Sequence, residues 1–358
     1  MISVAKPLVG AEELEEIRKV IESGMLTQGP AVKEFEATVA GYEGYKHCVA
    51  VSSGTAALHV ALCALGVGKG DEVIVPDFTF IATANAVRYV GAKPVFVDVD
   101  EKTFNIGIDA VKAAITPKTK AIIPVSLYGQ AYDVSALREA CASNGIKIIS
   151  DNCQAIGAEF EGSRNFHDAF STLSFYPTKN LTTAEGGALL TDDDVLADEA
   201  RLWRNIGQKS RYEYAHIGFN YRMSSVHAAI GIAQMRKLDG WTQKRRSNAK
   251  LLDELLAGAA EKVTTPFVDS RCKHAYHQYT VKIARNRDKI QEKLKEAGVG
   301  SGIYYPQPLH SLSVFKARAA TPVTKELCKR VLSLPVHPAL SEEEVRTVAS
   351  ELRKAVKA

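Results

Sequence analysis

Long hydrophobic runs are missing from this chain. The longest apolar stretch, AALHVALCALGVG (56–68), is too short and too broken to span a bilayer. The opening MISVAKPLVGAEELEE has no apolar signal core and soon turns acidic. It does not read as a secretory leader, so a cytoplasmic protein with no membrane partner is expected. Without a leader, the sequon Asn180-Leu181-Thr182 carries no weight. Paired cysteines are missing too. Among Cys48, Cys63, Cys141, Cys153, Cys272 and Cys328 there is no Cys-x-x-Cys, and most sit in apolar segments. They read as reduced core thiols, not as disulfides or metal ligands, and no metal site is expected. No charge dominates: 45 Lys and Arg face 41 Asp and Glu, interspersed and without a basic block. Nucleic-acid binding is therefore not expected. There is no Walker loop, and no Gly-x-Gly-x-x-Gly follows a strand-like run, which disfavours a nucleotide cofactor. Low-complexity tracts and internal repeats are also lacking.

What is present is alternation. Short β-branched runs at 49–53, 72–76, 94–98, 121–125, 146–150, 170–175 and 187–191 read as strands. Helical patterns lie between several of them, at 54–65, 79–90, 109–115 and 134–145. Ahead of them, LEEIRKVIESG (14–24) places Leu14, Ile17 and Ile21 on one helical face and stops at Gly24. The pattern predicts an α/β fold, a mostly parallel sheet with helices on both faces. After about residue 240 the texture changes to a long charged helix (241–260), a strand (276–284) and a helix-rich tail. Residues 1–240 are expected to form a large domain with an N-terminal segment, and 241–358 a smaller α+β domain.

In parallel sheets ligands gather at the carboxyl ends of the strands. Three unusual clusters follow strands here. SSGTAAL (52–58) opens a helix at a Ser-Gly-Thr turn, where free amides and the helix dipole suit a phosphate; an ordinary helix cap is the simpler reading. In IISDNCQA, Asp151 follows a buried strand and needs a cation, such as a protonated pyridine nitrogen, unless it is a helix cap. Gln154 either donates to a ring oxygen or completes a capping box. In SFYPTKNLTTAEGG (174–187) a single Lys179 sits between Pro177 and the pair Gly186-Gly187. It is either a solubilising surface residue or an amine poised for a Schiff base. Ser174 offers a hydroxyl to the same phosphate, or is a plain strand residue. Together these are the parts of a pyridoxal-phosphate enzyme.

The ordered set SSGTAAL, PDFTFIATANAV, KAIIPVSLYGQ, DNCQAIGA, SFYPTKNLTTAEGG and GFNYRMSSVHAAIG resembles the DegT/DnrJ/EryC1/StrS family of sugar aminotransferases, fold-type I pyridoxal-phosphate enzymes. The resemblance runs from LTQGPAVKEFE (26–36) to LPVHPAL (334–340). It implies that Lys179 is the Schiff-base lysine and moves the proton. Asp151 would pair the pyridine nitrogen and Gln154 contact the ring hydroxyl. Gly54, Thr55 and Ala56, with Ser174, would hold the phosphate, and Phe80 would stack on the ring. Spacing alone would make Phe80 a core aromatic. Asn220, in GFNYRMSS, would reach the phosphate in the neighbouring subunit of a homodimer, or else simply occupy a turn. His310, in YYPQPLH, would touch substrate or be a satisfied surface histidine. The implied reaction moves an amino group from L-glutamate to a nucleotide-diphosphate-linked keto sugar in two half-reactions. SFYPTKNL resembles relatives that aminate C3 and TTAEGG relatives that aminate C4, with a slight lean to C4. A non-nucleotide keto-cyclitol acceptor and a non-catalytic, cofactor-binding regulatory role are the alternatives. The related dehydrating branch replaces the lysine, and Lys179 argues against it.

Overall fold

A computed structural model describes residues 1–142 and 145–357. The strands of the first part are His47–Val51 (β1), Glu72–Pro76 (β2), Lys93–Val97 (β3), Thr119–Ile122 (β4), Lys147–Asp151 (β5), the short Glu159–Phe160 (β6), Phe170–Ser174 (β7) and Gly187–Thr191 (β8). All but β6 join one seven-stranded sheet in the order β1-β8-β7-β5-β4-β2-β3. Neighbours from β3 through β2, β4 and β5 to β7 run parallel, whereas β8 is antiparallel to both β7 and β1. Burial on both faces explains why β2 and β8 have no exposed residue. The expected strands all appear, with ends shifted by a few residues. Of the helix expected over 134–145, Val134–Cys141 is helical and residues 143–144 lie outside the described residues.

The orientation of β8 matters for the site. A parallel strand would carry the chain to the far end of the sheet before returning. The antiparallel β8 brings residues 175–186 straight back, so Gly187 pairs with Ser174 at the same edge. The loop bearing Lys179 therefore stays over the carboxyl ends of β5 and β7.

Beyond β8, a small hairpin of Gln208–Ser210 (β9) and Glu213–Tyr214 (β10) projects outward. The helix Leu238–Leu256 then leads to Val263–Thr264 (β11), Cys272–Lys273 (β12), Tyr279–Ile283 (β13) and Val331–Leu334 (β14). Strands β11, β13 and β14 form an antiparallel sheet, and β12 pairs with β6. This sheet has its own core, which includes Leu252, Val281, Leu332, Val345 and Leu352. Strand β14 lies in the tail expected to be helix-rich. Several contacts join the parts: β12 pairs with β6, Ile2 packs on this second core, Leu312 and Phe315 pack on the first, and Leu327 and Val331 share a cluster with Phe78 and Leu127.

The helix Ala11–Ser23 turns an unexpected side inward. Leu14 and Ile21 are 67% and 61% exposed, while Glu13 and Val20 are buried. Glu13 is satisfied there by Gly10 N (2.8 Å), Gln234 Nε2 (2.7 Å) and Lys237. No helix among the described residues is long and apolar enough to cross a membrane.

Candidate active site

The site grows from four backbone features at one sheet edge. The first is the start of helix Gly54–Ala64. Ser53 caps it, its Oγ accepting from Ala56 N at 3.1 Å. The remaining first-turn amides have no partner within the helix and lie at its positive end. A Cβ on Gly54 would stand 2.8 Å from Ser174 Cβ and 2.9 Å from Cys153 Sγ. Only glycine lets the helix start sit against Ser174.

The second is the glycine pair that ends the lysine loop. A Cβ on Gly187 would be 2.4 Å from the carbonyl carbon of Ser53, and one on Gly186 would be 2.3 Å from Thr183 Oγ1. Gly187 is needed because β8 begins by passing directly against the Ser53–Gly54 turn, and Gly186 because the lysine loop packs on itself at Thr183.

The third is the lysine loop itself. Thr183 N donates to Phe175 O at 3.0 Å, and Thr182 Oγ1 to the same carbonyl at 3.0 Å. Asn180 Nδ2 donates to Ala275 O at 2.8 Å, and Leu181 is buried. Lys179 is thus pinned by buried neighbours while its Nζ has no hydrogen bond or ion pair among the described residues. Burial pushes its pKa below the ordinary 10.5, with Cys153 and Asp151 pulling the other way. A lowered pKa raises the share of neutral, nucleophilic amine.

The fourth is Asp151, the last residue of β5. It is buried, with Thr83 Oγ1 donating to Oδ2 at 2.8 Å and Cys153 N to Oδ1 at 3.2 Å. These are two neutral donors on a group with about four acceptor sites. It has capacity left for a cation, and it faces a cavity.

That cavity, of about 490 Å³, brings together Gly54, Thr55, Phe80, Asp151, Gln154, Ser174 and Lys179. Phe80 is 54% exposed, an open aromatic face on the wall and not a core side chain. Gln154 accepts from Tyr128 N at 2.9 Å and donates to Tyr305 Oη at 3.2 Å. Three expected residues lie elsewhere. Ala56 is inside the first helical turn, its amide taken by the Ser53 cap. Asn220 is exposed, bridged to Asn205 at the base of the β9–β10 hairpin. His310 is not on the cavity wall, nor on the surface. It is buried against Asp77, because that carboxylate needs its donors.

Sequence reasoning missed Thr83, Cys153, Tyr305 and His277, which also line the cavity. Thr83 and Cys153 sit in segments whose neighbours were singled out. His277 carried no local signal. It is buried, its Nδ1 has no partner among the described residues, and burial with the nearby charges of Lys179 and Arg245 holds it well below its ordinary pKa, hence neutral.

The comparisons with known proteins agree with this geometry. Residues 7–353 match the DegT/DnrJ/EryC1/StrS aminotransferase family. The chain belongs to that family. It is 42% identical to a pleiotropic regulatory protein of Geobacillus stearothermophilus, over 95% of this chain and 93% of the relative. It is 41% identical to a UDP-N-acetyl-3-dehydro-alpha-D-glucosamine 3-aminotransferase of Acidithiobacillus ferrooxidans, over 96% and 93%. The solved PLP form of a putative sugar aminotransferase, Spr1654 of Streptococcus pneumoniae, superposes with a TM-score of 0.94 at 28% identity, covering 99% of this chain and 98% of that one. The protein is a pyridoxal-phosphate-dependent aminotransferase. The residues present fit that cofactor: a helix start whose Gly54 and Thr55 line the cavity, a carboxylate with spare acceptors and, among the described residues, an unpaired amine.

Proposed function

We propose that this aminotransferase moves an amino group from L-glutamate to a keto sugar carried on a nucleoside diphosphate, in two half-reactions at one site. The observation that carries the chemistry is the unpaired Lys179 amine, its pKa lowered by burial, in the same cavity as the part-satisfied Asp151. Gly54 and Thr55, with Ser174, would hold the phosphate at the helix start, while the Ala56 amide serves the Ser53 cap. Phe80 would pack on the ring, and Gln154, held by Tyr305, would meet the ring hydroxyl. Asp151 would keep a proton on the pyridine nitrogen. When bound, the cofactor supplies the electron sink for the carbanion at the donor's α-carbon. Lys179 Nζ would take the proton from that carbon and deliver it to complete the half-reaction.

Two features support a homodimer with Asn220 reaching the partner's site. The β9–β10 hairpin beside Asn220 exposes Tyr212 and Tyr214. Leu14 and Ile21, with Met25 and Leu26, leave an apolar stripe open to a second copy. The division near residue 240 falls within helix Leu238–Leu256, so we infer a large cofactor-binding domain that ends at this helix and a smaller domain that it leads into.

For the carbon aminated, the two halves of the lysine motif pull apart, with a lean to C4. The relative at 41% identity is named for C3. We put C3 ahead on that ground. A regulatory role is the second reading, favoured by the name of the relative at 42% identity; the retained Lys179, Asp151 and Gln154 speak for turnover.

The test is the absorbance of the cofactor-loaded protein before and after glutamate. The expected result is loss of the yellow band with glutamate, its return with one nucleotide-linked keto sugar, and no cycle in Lys179→Ala. Return with a 4-keto sugar alone overturns C3. A band that glutamate leaves unchanged overturns the glutamate-dependent reaction.

A further inference from the structure

His310 is buried in a contact that ties two walls of the cavity together. Asp77 follows β2 and has no exposed surface. Its Oδ1 accepts from His310 N at 2.8 Å. Its Oδ2 accepts from His310 Nδ1 at 2.5 Å and from Thr321 Oγ1 at 2.6 Å. Its carbonyl accepts from Leu309 N at 3.1 Å. A second carboxylate, Asp98 just past β3, takes Val323 N at 2.9 Å and Thr324 N and Oγ1, both at 2.8 Å. Residues 304–324 are thereby lashed to the carboxyl ends of two neighbouring parallel strands.

The other end of this segment carries Tyr304 and Tyr305, both on the cavity wall. The Tyr305 ring lies 6.1 Å from the Phe80 ring and 6.2 Å from the Phe78 ring, centroid to centroid. Its hydroxyl holds Gln154 Nε2. Phe80 itself stands three residues after Asp77, and Thr83, the donor to Asp151, six residues after. One buried carboxylate thus holds the element with Phe80 and the element with Tyr305.

We propose that Asp77 and His310 are positioning residues for the transamination: their buried contact sets the separation of Phe80 and Tyr305 and, through Tyr305, the placement of the Gln154 amide. This rests on the reading that Phe80 and Gln154 face the cofactor. Neither Asp77 nor His310 touches substrate. A carboxylate held by three buried donors has little slack. Removing one donor leaves a buried carboxylate oxygen short of a partner, and the segment must shift to recover one. Shifts of about 1 Å in a positioning wall cost about a hundredfold in rate in other enzymes.

The test uses His310→Leu, which removes Nδ1 at similar bulk, beside His310→Asn, whose amide N–H lies near the position of Nδ1. Thr321→Val, which removes only the hydroxyl donor, is the milder companion if His310→Leu does not accumulate. Three quantities are read: hydrogen exchange of residues 304–321 in cofactor-free protein, the circular dichroism of the bound cofactor, and kcat and KM for each half-reaction. His310→Leu is expected to speed exchange at the Leu309 and Ala317 amides by about tenfold or more. It should weaken the cofactor dichroism and lower kcat of the glutamate half-reaction by about tenfold or more, with KM for the keto sugar within about threefold. His310→Asn should restore most of both signals, and Thr321→Val should show the same pattern in smaller measure. Faster exchange with parental dichroism and kcat would reduce the pair to a stability element and overturn the proposal. A raised KM for the keto sugar with exchange and dichroism unchanged would make His310 a substrate contact, with the same consequence. Absence of cofactor dichroism in the parent would instead remove the reading on which the proposal rests.

Discussion

Asp151 and Asp77 stand in matching places, each at the carboxyl end of a parallel strand and each buried. Their surroundings differ in one respect. The Asp77 carboxylate is filled by protein donors: a backbone N–H, an imidazole and a hydroxyl. The Asp151 carboxylate has one hydroxyl and one amide N–H, and it opens on a cavity shared with Lys179. A buried carboxylate costs several kcal/mol unless it is met. At Asp77 the fold itself meets that cost. At Asp151 the protein supplies fewer donors, and the remaining acceptor capacity faces the cavity. The difference between structure and chemistry at these strand ends therefore lies in unsatisfied capacity, and not in residue type.

Four substitutions would sharpen or break this contrast. The largest effect is expected for Lys179→Ala, the amine facing the open carboxylate. Turnover should fall on the order of 10⁴-fold or more in single-turnover experiments with glutamate, with the melting temperature of cofactor-free protein held or raised. Retention of more than about a hundredth of the parental rate would remove Lys179 from the chemistry. Next, Asp151→Asn should cost about 10²- to 10³-fold in the glutamate half-reaction, with a small change in urea midpoint, because Asn still accepts from one of two neutral donors. Asp77→Ala should reverse the pattern. It leaves His310 and Thr321 without an acceptor in the interior and should cost about 3–5 kcal/mol of unfolding free energy by urea titration. If Asp151→Asn destabilises more than Asp77→Ala, the contrast is wrong.

The smallest effect concerns pH. The folded pKa of Lys179 lies below its ordinary 10.5, so the folded chain binds fewer protons than the unfolded chain between those two values. Stability contributed at this position therefore rises with pH toward about 10.5 and is lowest below the folded pKa. In cofactor-free protein, Lys179→Met should be more stable than the parent at neutral pH. The difference should close as pH approaches about 10.5. A difference that does not vary with pH would mean that the lysine is not desolvated.

Much of this was legible in the sequence, for reasons that can be named. Strands on both-faced sheets must be continuously apolar and helices periodic, so the alternation and most element ends could be read locally. The residue types at strand ends were equally visible, since turns concentrate Gly, Ser and Asp there. The β8 direction was not, yet it is what brings Lys179 back over Asp151. Nor was the inward face of helix Ala11–Ser23. Periodicity pointed to Leu14 and Ile21, whereas Glu13 found Gln234 and Lys237, more than 200 residues away, to bury against.

His310 shows where the boundary falls. The chain by itself determined that an aspartate follows β2, that another ends β5, and that a histidine sits in YYPQPLH. Those facts follow from local backbone preference and composition. Only the tertiary structure decided that the histidine would fill the first aspartate, 233 residues distant, and leave the second open to the lysine. Hydrogen-bond satisfaction is settled by which segments meet in space, and no window of sequence contains both partners.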